Sequence, residues 1–359
     1  MTGAPPPGER RPLGRTGLDV FPVGLGTWGL APGAALRSRP AGYGPIDEAT
    51  AERVVERALE LGVDFFDTAP TYGNGAAETL LGRVLGARAA PERARLVVAT
   101  KVGRRRRDPA PPVRDLTASG MRRSIEESLA RLRRDRIDVL LLHDPPPDIA
   151  SRDEVFDTLE ALRREGLFRV LGASVERVED GIALLRAGRV EALEVELHAL
   201  RPEAETALLP LARERGAGVI VKSPLGHGVL SGRLPASRRF PPTDHRHLKL
   251  SGYRLRDAVE RAEALRPWLE APGRTFLHGA LAYALGAEAV SVAIPGARTS
   301  AHIEEAVETL AAAARSPPVD RRAVIDLARA GHGLPRQAAR RARWLLSKLY
   351  RTVRYRLGI

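Results

Sequence analysis

Apolar residues along this chain fall into two kinds of pattern that take turns. Compact runs at 63–67 (VDFFD), 95–101 (RLVVATK), 137–143 (IDVLLLH), 170–174, 192–196, 219–222 and 289–294 are rich in Val, Ile, Leu and Phe. Such runs suit buried strands. Between them, stretches at 47–61, 76–85, 119–132, 153–165, 178–187, 204–215, 274–285 and 301–314 place apolar residues at helical spacing, as Val54, Val55, Ala58 and Leu59 do, which predicts helices. Residues 11–27 (RPLGRTGLDVFPVGLGT) read as a hairpin turning near 15–17, followed by a first strand at 23–26. One long polar segment, 224–256, interrupts the alternation before a further helix at 257–269.

The sum is eight strand–helix units. Strands separated by helix-length connections pair in parallel. Eight of them predict a closed (β/α)8 TIM barrel, whose chemistry lies at the C-terminal ends of the strands. An open doubly wound sheet fits less well, because GLGTWG after the first strand neither opens a helix nor matches G-x-G-x-x-G. The expected organisation is a disordered segment at 1–10, the barrel at 11–317, and a C-terminal extension at 318–359 that carries a basic helix.

Composition narrows the chemistry. The 359 residues include no Cys, which removes disulfides, thiolate metal sites and a Cys nucleophile. The net charge of +13 is local: residues 335–359 carry +8 and residues 1–15 carry +2, which leaves +3 for the rest. Basic residues are 53 Arg against four Lys, a compositional bias. Without a basic stripe on a recognition element, nucleic acid is not an expected partner. The first residues, MTGAPPPGERR, have no apolar h-region, and no run of about 18 apolar residues exists. A cytoplasmic location is expected.

Ionisable residues recur where strands end. Asp67 closes the second strand and Tyr72 lies in its loop; Lys101 closes the third and His143 the fourth. Each alone reads most simply as a loop residue or a structural ion pair. Four at successive strand ends of a barrel point into one bowl. A Lys beside a Tyr favours tyrosinate, so the Tyr72 phenol is expected to titrate below about 10 and toward neutrality. Asp67 can fix Lys101, and His143 can orient a carbonyl oxygen. This set suits proton transfer coupled to hydride transfer.

These residues stand in motifs that resemble the aldo-keto reductase superfamily, in its bacterial, sugar-dehydrogenase-like branch. DFFDTAPTYGNG is similar to the family's first signature, ATKVG to its Lys segment, and SIEESLARLRRDRIDVLLLHDP to its second signature. PLGRTGLDVFPVGLGTW, VIVKSPLGHGVLSG and AIPGARTSAHIEEAV match the first strand and the late cofactor segments, so the resemblance covers about 11–315. It implies Asp67, Tyr72, Lys101 and His143 as catalytic tetrad, with Tyr72 as general acid–base. It also implies a nicotinamide cofactor, NADP(H) or alternatively NAD(H), and no metal.

By the same resemblance Gly26, Thr27 and Trp28 lie at the cofactor's edge, and Ser174 holds the carboxamide. Ser223, Pro224, Leu225, Gly226, Gly228 and Leu230 cover the pyrophosphate, and Gly296, Arg298 and His302 approach the adenosine phosphate. Glu194 stands where a carboxamide-binding Gln is usual, and Lys222 where an aromatic often stacks. The implied reaction transfers hydride between the cofactor and an aldehyde, ketone or sugar. An aldose 1-dehydrogenase is the alternative, and a low-turnover cofactor-sensing or partner-binding barrel is the alternative of another class.

Three features go beyond these motifs. Arg104–Arg107 reads as a solvated loop or as a rim that attracts an anion. The 224–256 segment reads as a lid; its His245 and His247 lack the further ligands a metal needs. In the tail, Leu346, Leu349, Tyr350, Val353 and Leu357 among Arg residues form a basic amphipathic helix. Residues 335–359 therefore suit a peripheral membrane or protein contact, or docking on the barrel.

Overall fold

A computed structural model describes residues 9–31, 42–107 and 110–330. The basic amphipathic tail and the first eight residues lie outside the described residues. The strands are β1 (Arg11–Pro12), β2 (Asp19–Val20), β3 (Leu25–Gly26), β4 (Phe65–Asp67), β5 (Val97–Val102), β6 (Arg104–Arg107), β7 (Ala110–Arg114), β8 (Ile137–His143), β9 (Phe168–Ser174), β10 (Ala192–Glu196), β11 (Gly218–Lys222) and β12 (Val290–Ile294). The helices are α1 (Glu48–Glu60), α2 (Ala76–Gly86), α3 (Ala90–Arg93), α4 (Ala118–Leu132), α5 (Asp153–Arg164), α6 (Val178–Arg186), α7 (Glu203–Arg215), α8 (Arg246–Lys249), α9 (Tyr253–Leu269), α10 (Phe276–Leu285), α11 (Ser300–Arg315) and α12 (Arg321–Ala330). None of the described helices is long and apolar enough to cross a membrane.

Eight strands pair side by side in the order β12-β11-β10-β9-β8-β5-β4-β3, all parallel. Backbone bridges from Val23 to Ala293 and from Gly26 to Gly296 join the first strand region to the last and close the ring. The fold is the (β/α)8 barrel that the alternation predicts. The β1–β2 hairpin places Leu13, Leu18 and Val20 against the ring interior, in one cluster with Phe65, Val97, Val139, Val170, Ala192, Ile220 and Val292. A second, larger core lies between ring and helices, where Val54, Leu81, Ile125, Leu159, Leu208 and Leu281 are buried.

Strand parity positions the site. Successive side chains on a strand face opposite ways, and the inward set of β5 is Val97 and Ala99, which makes Lys101 the next inward residue. The same count runs from Phe65 to Asp67, from Leu141 to His143, from Ala192 to Glu194 and from Ile220 to Lys222. The apolar interior therefore ends in a polar layer at the C-terminal rim.

Local chemistry sets the helix starts. Asp47 caps α1 by accepting from the Thr50 amide at 2.8 Å, and Thr117 caps α4 by accepting from Gly120 at 3.1 Å. Gly82 lets α2 touch α4, since a Cβ there would lie 2.0 Å from the Arg131 carbonyl oxygen. Two segments differ from the sequence expectation. Arg104–Arg107 is no loop but pairs antiparallel with Ala110–Arg114, and Asp144 holds that hairpin through Arg104 and, at 3.7 Å, Arg114. The run of like charges hid a strand whose Arg104 pairs with Asp144, just past β8, and whose Arg105 pairs with Asp115 at 3.5 Å. The 224–256 segment folds into a 3-10 turn (Gly226–Ser231), α8 and the start of α9. In the 318–359 extension, α12 buries Val324 completely, and its Arg321 donates to Glu205 at 2.8 Å.

Candidate active site

The rim layer brings Asp67, Tyr72, Lys101 and His143 into one cavity of about 360 Å³; Asp67, Tyr72 and His143 line it, along with Ser174, Glu194 and Lys222. Lys101 lies beneath Tyr72, its ammonium 5.0 Å from the ring centroid. Lys101 is 1% exposed. It donates to Asp67 and to the Thr68 carbonyl at 3.1 Å, and it pairs with Glu194 at 3.2 Å. Tyr72 meets His143 edge to face, with ring centroids 6.2 Å apart. The turn beneath Tyr72 needs Gly75, which caps α2 at φ 90 and lies against the Arg131 side chain.

Electrostatics give each group a state. Burial alone would push Lys101 down, but Asp67 and Glu194 outweigh it and hold the ammonium well above its ordinary range. Burial pushes His143 well below 6.5, helped by Lys101, Lys222 and Arg104, so it is a neutral imidazole. The Tyr72 expectation is overturned. Its ring is partly open to the cavity, yet burial around the hydroxyl raises the phenol above 10.0, and Lys101 does not offset this because Asp67 and Glu194 oppose it. Tyr72 rests as a neutral proton donor.

A second cavity of about 270 Å³ is lined by Pro224, Leu225, Gly228, Arg298 and His302. The two share Tyr43, Ser223, His227 and Gly296 in their walls, so one trough runs from Tyr72 to His302. Gly26 and Trp28 lie on its wall too. Thr27, Gly226 and Leu230 are buried beneath it; Thr27 Oγ1 donates to the Asp67 carbonyl at 2.8 Å. Glu194 is engaged on both oxygens, by Lys101 and by Ser174 Oγ at 2.7 Å. Lys222 donates to Ser174 Oγ at 3.0 Å and pairs with Glu176 at 3.3 Å.

The trough fits a nicotinamide dinucleotide. It is elongated, Arg298 supplies positive charge at its outer end beside the ion-paired Arg233 and Arg246, and the buried His143 Nδ1 at its inner end has no hydrogen-bond partner. Sequence reasoning missed Tyr43, His227, Arg233, Arg246 and Glu305 on these walls. Tyr43 packs edge-on against Trp28 at 5.5 Å and His245 against Trp28 at 4.4 Å. Tyr43 and Arg233 come from irregular segments, where no periodicity marks a wall, and Arg246 and Glu305 from helices, whose periodicity marks the core-facing side and not the wall.

The model of the "Aldo/keto reductase family" matches residues 22–316. The chain is 31% identical over 309 residues to an L-galactose dehydrogenase of Arabidopsis thaliana, across 83% of this chain and 87% of that one. It is 29% identical over 271 residues to an NADH-specific methylglyoxal reductase of Escherichia coli, across 72% and 79%. The solved structure of an aldo-keto reductase from Bacillus halodurans, in its holo form, superposes with a TM-score of 0.71 at 26% identity, covering 89% of this chain and 96% of that one.

Proposed function

This chain belongs to the aldo/keto reductase family, and from that premise we propose that Tyr72 is the general acid–base of a nicotinamide-dependent oxidoreductase acting on a polar aldehyde or sugar. The observation that carries this reading is the convergence of Tyr72, Lys101, Asp67 and neutral His143 at the floor of one trough. A bound nicotinamide supplies or accepts the hydride. In reduction the Tyr72 hydroxyl gives its proton to the carbonyl oxygen, and in oxidation the same oxygen takes it back. His143 orients that oxygen, and Lys101, held by Asp67, keeps a positive charge beside the phenol.

The substrate class follows from the wall. Arg104, Glu176, Glu196, Lys222 and Lys249 line the cavity above Tyr72, which suits hydroxyl-rich molecules over apolar ones. The L-galactose dehydrogenase among the relatives supports the same direction and favours aldose oxidation as the second reading. For the cofactor we propose NADP(H). Arg298 makes no ion pair among the described residues, feels Asp244 only at longer range, and is held by the Tyr43 and Pro45 carbonyl oxygens, which leaves much of its charge for a phosphate.

Titrating NADPH and NADH by protein fluorescence, followed by turnover with aromatic aldehydes and free aldoses, tests the reading. Tyr72→Phe should cut turnover by about 10²–10⁴-fold while leaving dinucleotide binding unchanged. Full turnover in that variant refutes the assignment. Binding without turnover of any substrate would instead favour a cofactor sensor.

A further inference from the structure

Lys101 offers one positive charge to two carboxyl groups. Asp67 comes from β4 and Glu194 from β10, and they are 3% and 1% exposed. Both reach the same buried ammonium, Asp67 by a short ion pair and Glu194 at 3.2 Å. Ionised carboxylates only accept hydrogen bonds, so two groups gathered on one ammonium can bond to each other only through a proton. Lys222 on β11 also attracts Glu194, but it is itself paired with Glu176, and Arg104 on the hairpin is paired with Asp144. His143 on β8 and Tyr72 in the β4 loop are both neutral. Two anions on one cation would leave a net charge on side chains almost wholly withdrawn from water, which is costly.

From this geometry we propose that Asp67 and Glu194 hold one proton between them, so that Lys101 faces a single shared negative charge. The proton belongs to the pair, as in other coupled carboxyl dyads. Burial first and Glu194 second hold Asp67 well above its ordinary range. Glu194 is also pushed up by burial, but Lys101 and Lys222 outweigh that and bring it to about 2. Glu194 is therefore a positioning residue that acts on Tyr72 through Lys101. Its carboxyl accepts from Ser174 Oγ at 2.7 Å and pairs with Lys101 at 3.2 Å.

The first test needs neither cofactor nor substrate, so it is independent of the proposed activity. Infrared difference spectra are taken on the full chain near neutral pH, wild type against Glu194→Gln and against Asp67→Asn. Other buried acids, such as Glu78, are common to all three and cancel. The expected result is the carbonyl stretch of one protonated carboxylic acid in the wild type, shifted in heavy water and absent from both variants. Its absence from the wild type, or its survival in Glu194→Gln, overturns the proposal. A second readout is the alkaline limb of turnover. With a shared proton, Glu194→Gln leaves the net charge near Tyr72 unchanged and the limb stays in place. If both groups were ionised, the limb would move to lower pH by on the order of one unit, and the proposal falls.

Discussion

Replacing Lys101 with Met isolates the charge from the volume. The side chains are of similar length, and Lys101 is fully buried, so no cavity or solvent screening complicates the result. What is lost is the cation shared by Asp67 and Glu194. Removing one partner of a buried ion pair costs about 3–5 kcal/mol. A second route gives a similar figure. Without Lys101 the remaining carboxylate must also be neutralised, which costs about 1.4 kcal/mol for each pH unit above its ordinary value, or about 4 kcal/mol near pH 7 and about 1.4 kcal/mol near pH 5. In the wild type, the raised Lys101 contributes stability that is complete below its unfolded value of about 10.4 and is lost only as pH rises through its folded value. That contribution is therefore intact at both pH values, and the difference arises in the variant, which gains stability as pH falls. Urea unfolding followed by Trp fluorescence at the two pH values measures it. A loss of equal size at both, or no loss, would refute the reasoning.

Arg298→Ala should weaken NADPH binding by about tenfold or more and NADH binding less, as compared by fluorescence titration, because a charge-assisted bond to a phosphate is worth about 1.5–3 kcal/mol. His143 is held neutral by burial and nearby cations, so turnover should show no His143 limb between about pH 6 and 7. Its depressed value also means that its contribution to stability is present above the ordinary His range and is lost as pH falls through the folded value. A limb near 6.5 that disappears in His143→Asn would contradict the assignment. Gly82→Ala forces a Cβ to 2.0 Å from the Arg131 carbonyl and should cost about 1–3 kcal/mol in denaturant unfolding.

Sequence carried the ring and three of the tetrad for one reason: compact apolar runs end in ionisable residues that keep the inward parity. Phe65 leads to Asp67, Ala99 to Lys101 and Leu141 to His143 without a break in parity. What it hid has equally physical causes. Arg104–Arg107 has no hydrophobic alternation, and its strand is held by Asp144, a residue 40 positions away. Tyr43, His227 and Arg246 reach the trough from segments whose course is set by tertiary contacts. The Tyr72 hydroxyl was misjudged because proximity to Lys101 is written in the sequence, whereas burial by distant elements is not. Glu194 matches a cofactor position in the linear pattern, and only the fold shows that it lines the cavity while also pairing with Lys101.

The ring is closed unequally. The pairs β5–β8 and β8–β9 zip over four to six residues, but β3 meets β4 at two, and its side meets β12 only at the Val23–Ala293 and Gly26–Gly296 bridges. The thin joint of this hoop is also the floor of the trough, since Gly26 and Gly296 both line it. A long ligand lying there spans the two ends of the hoop like a strap across a buckle. Its affinity and the closure of the ring are then one linked equilibrium, so whatever fills the trough also fastens the first turn of the barrel to the last.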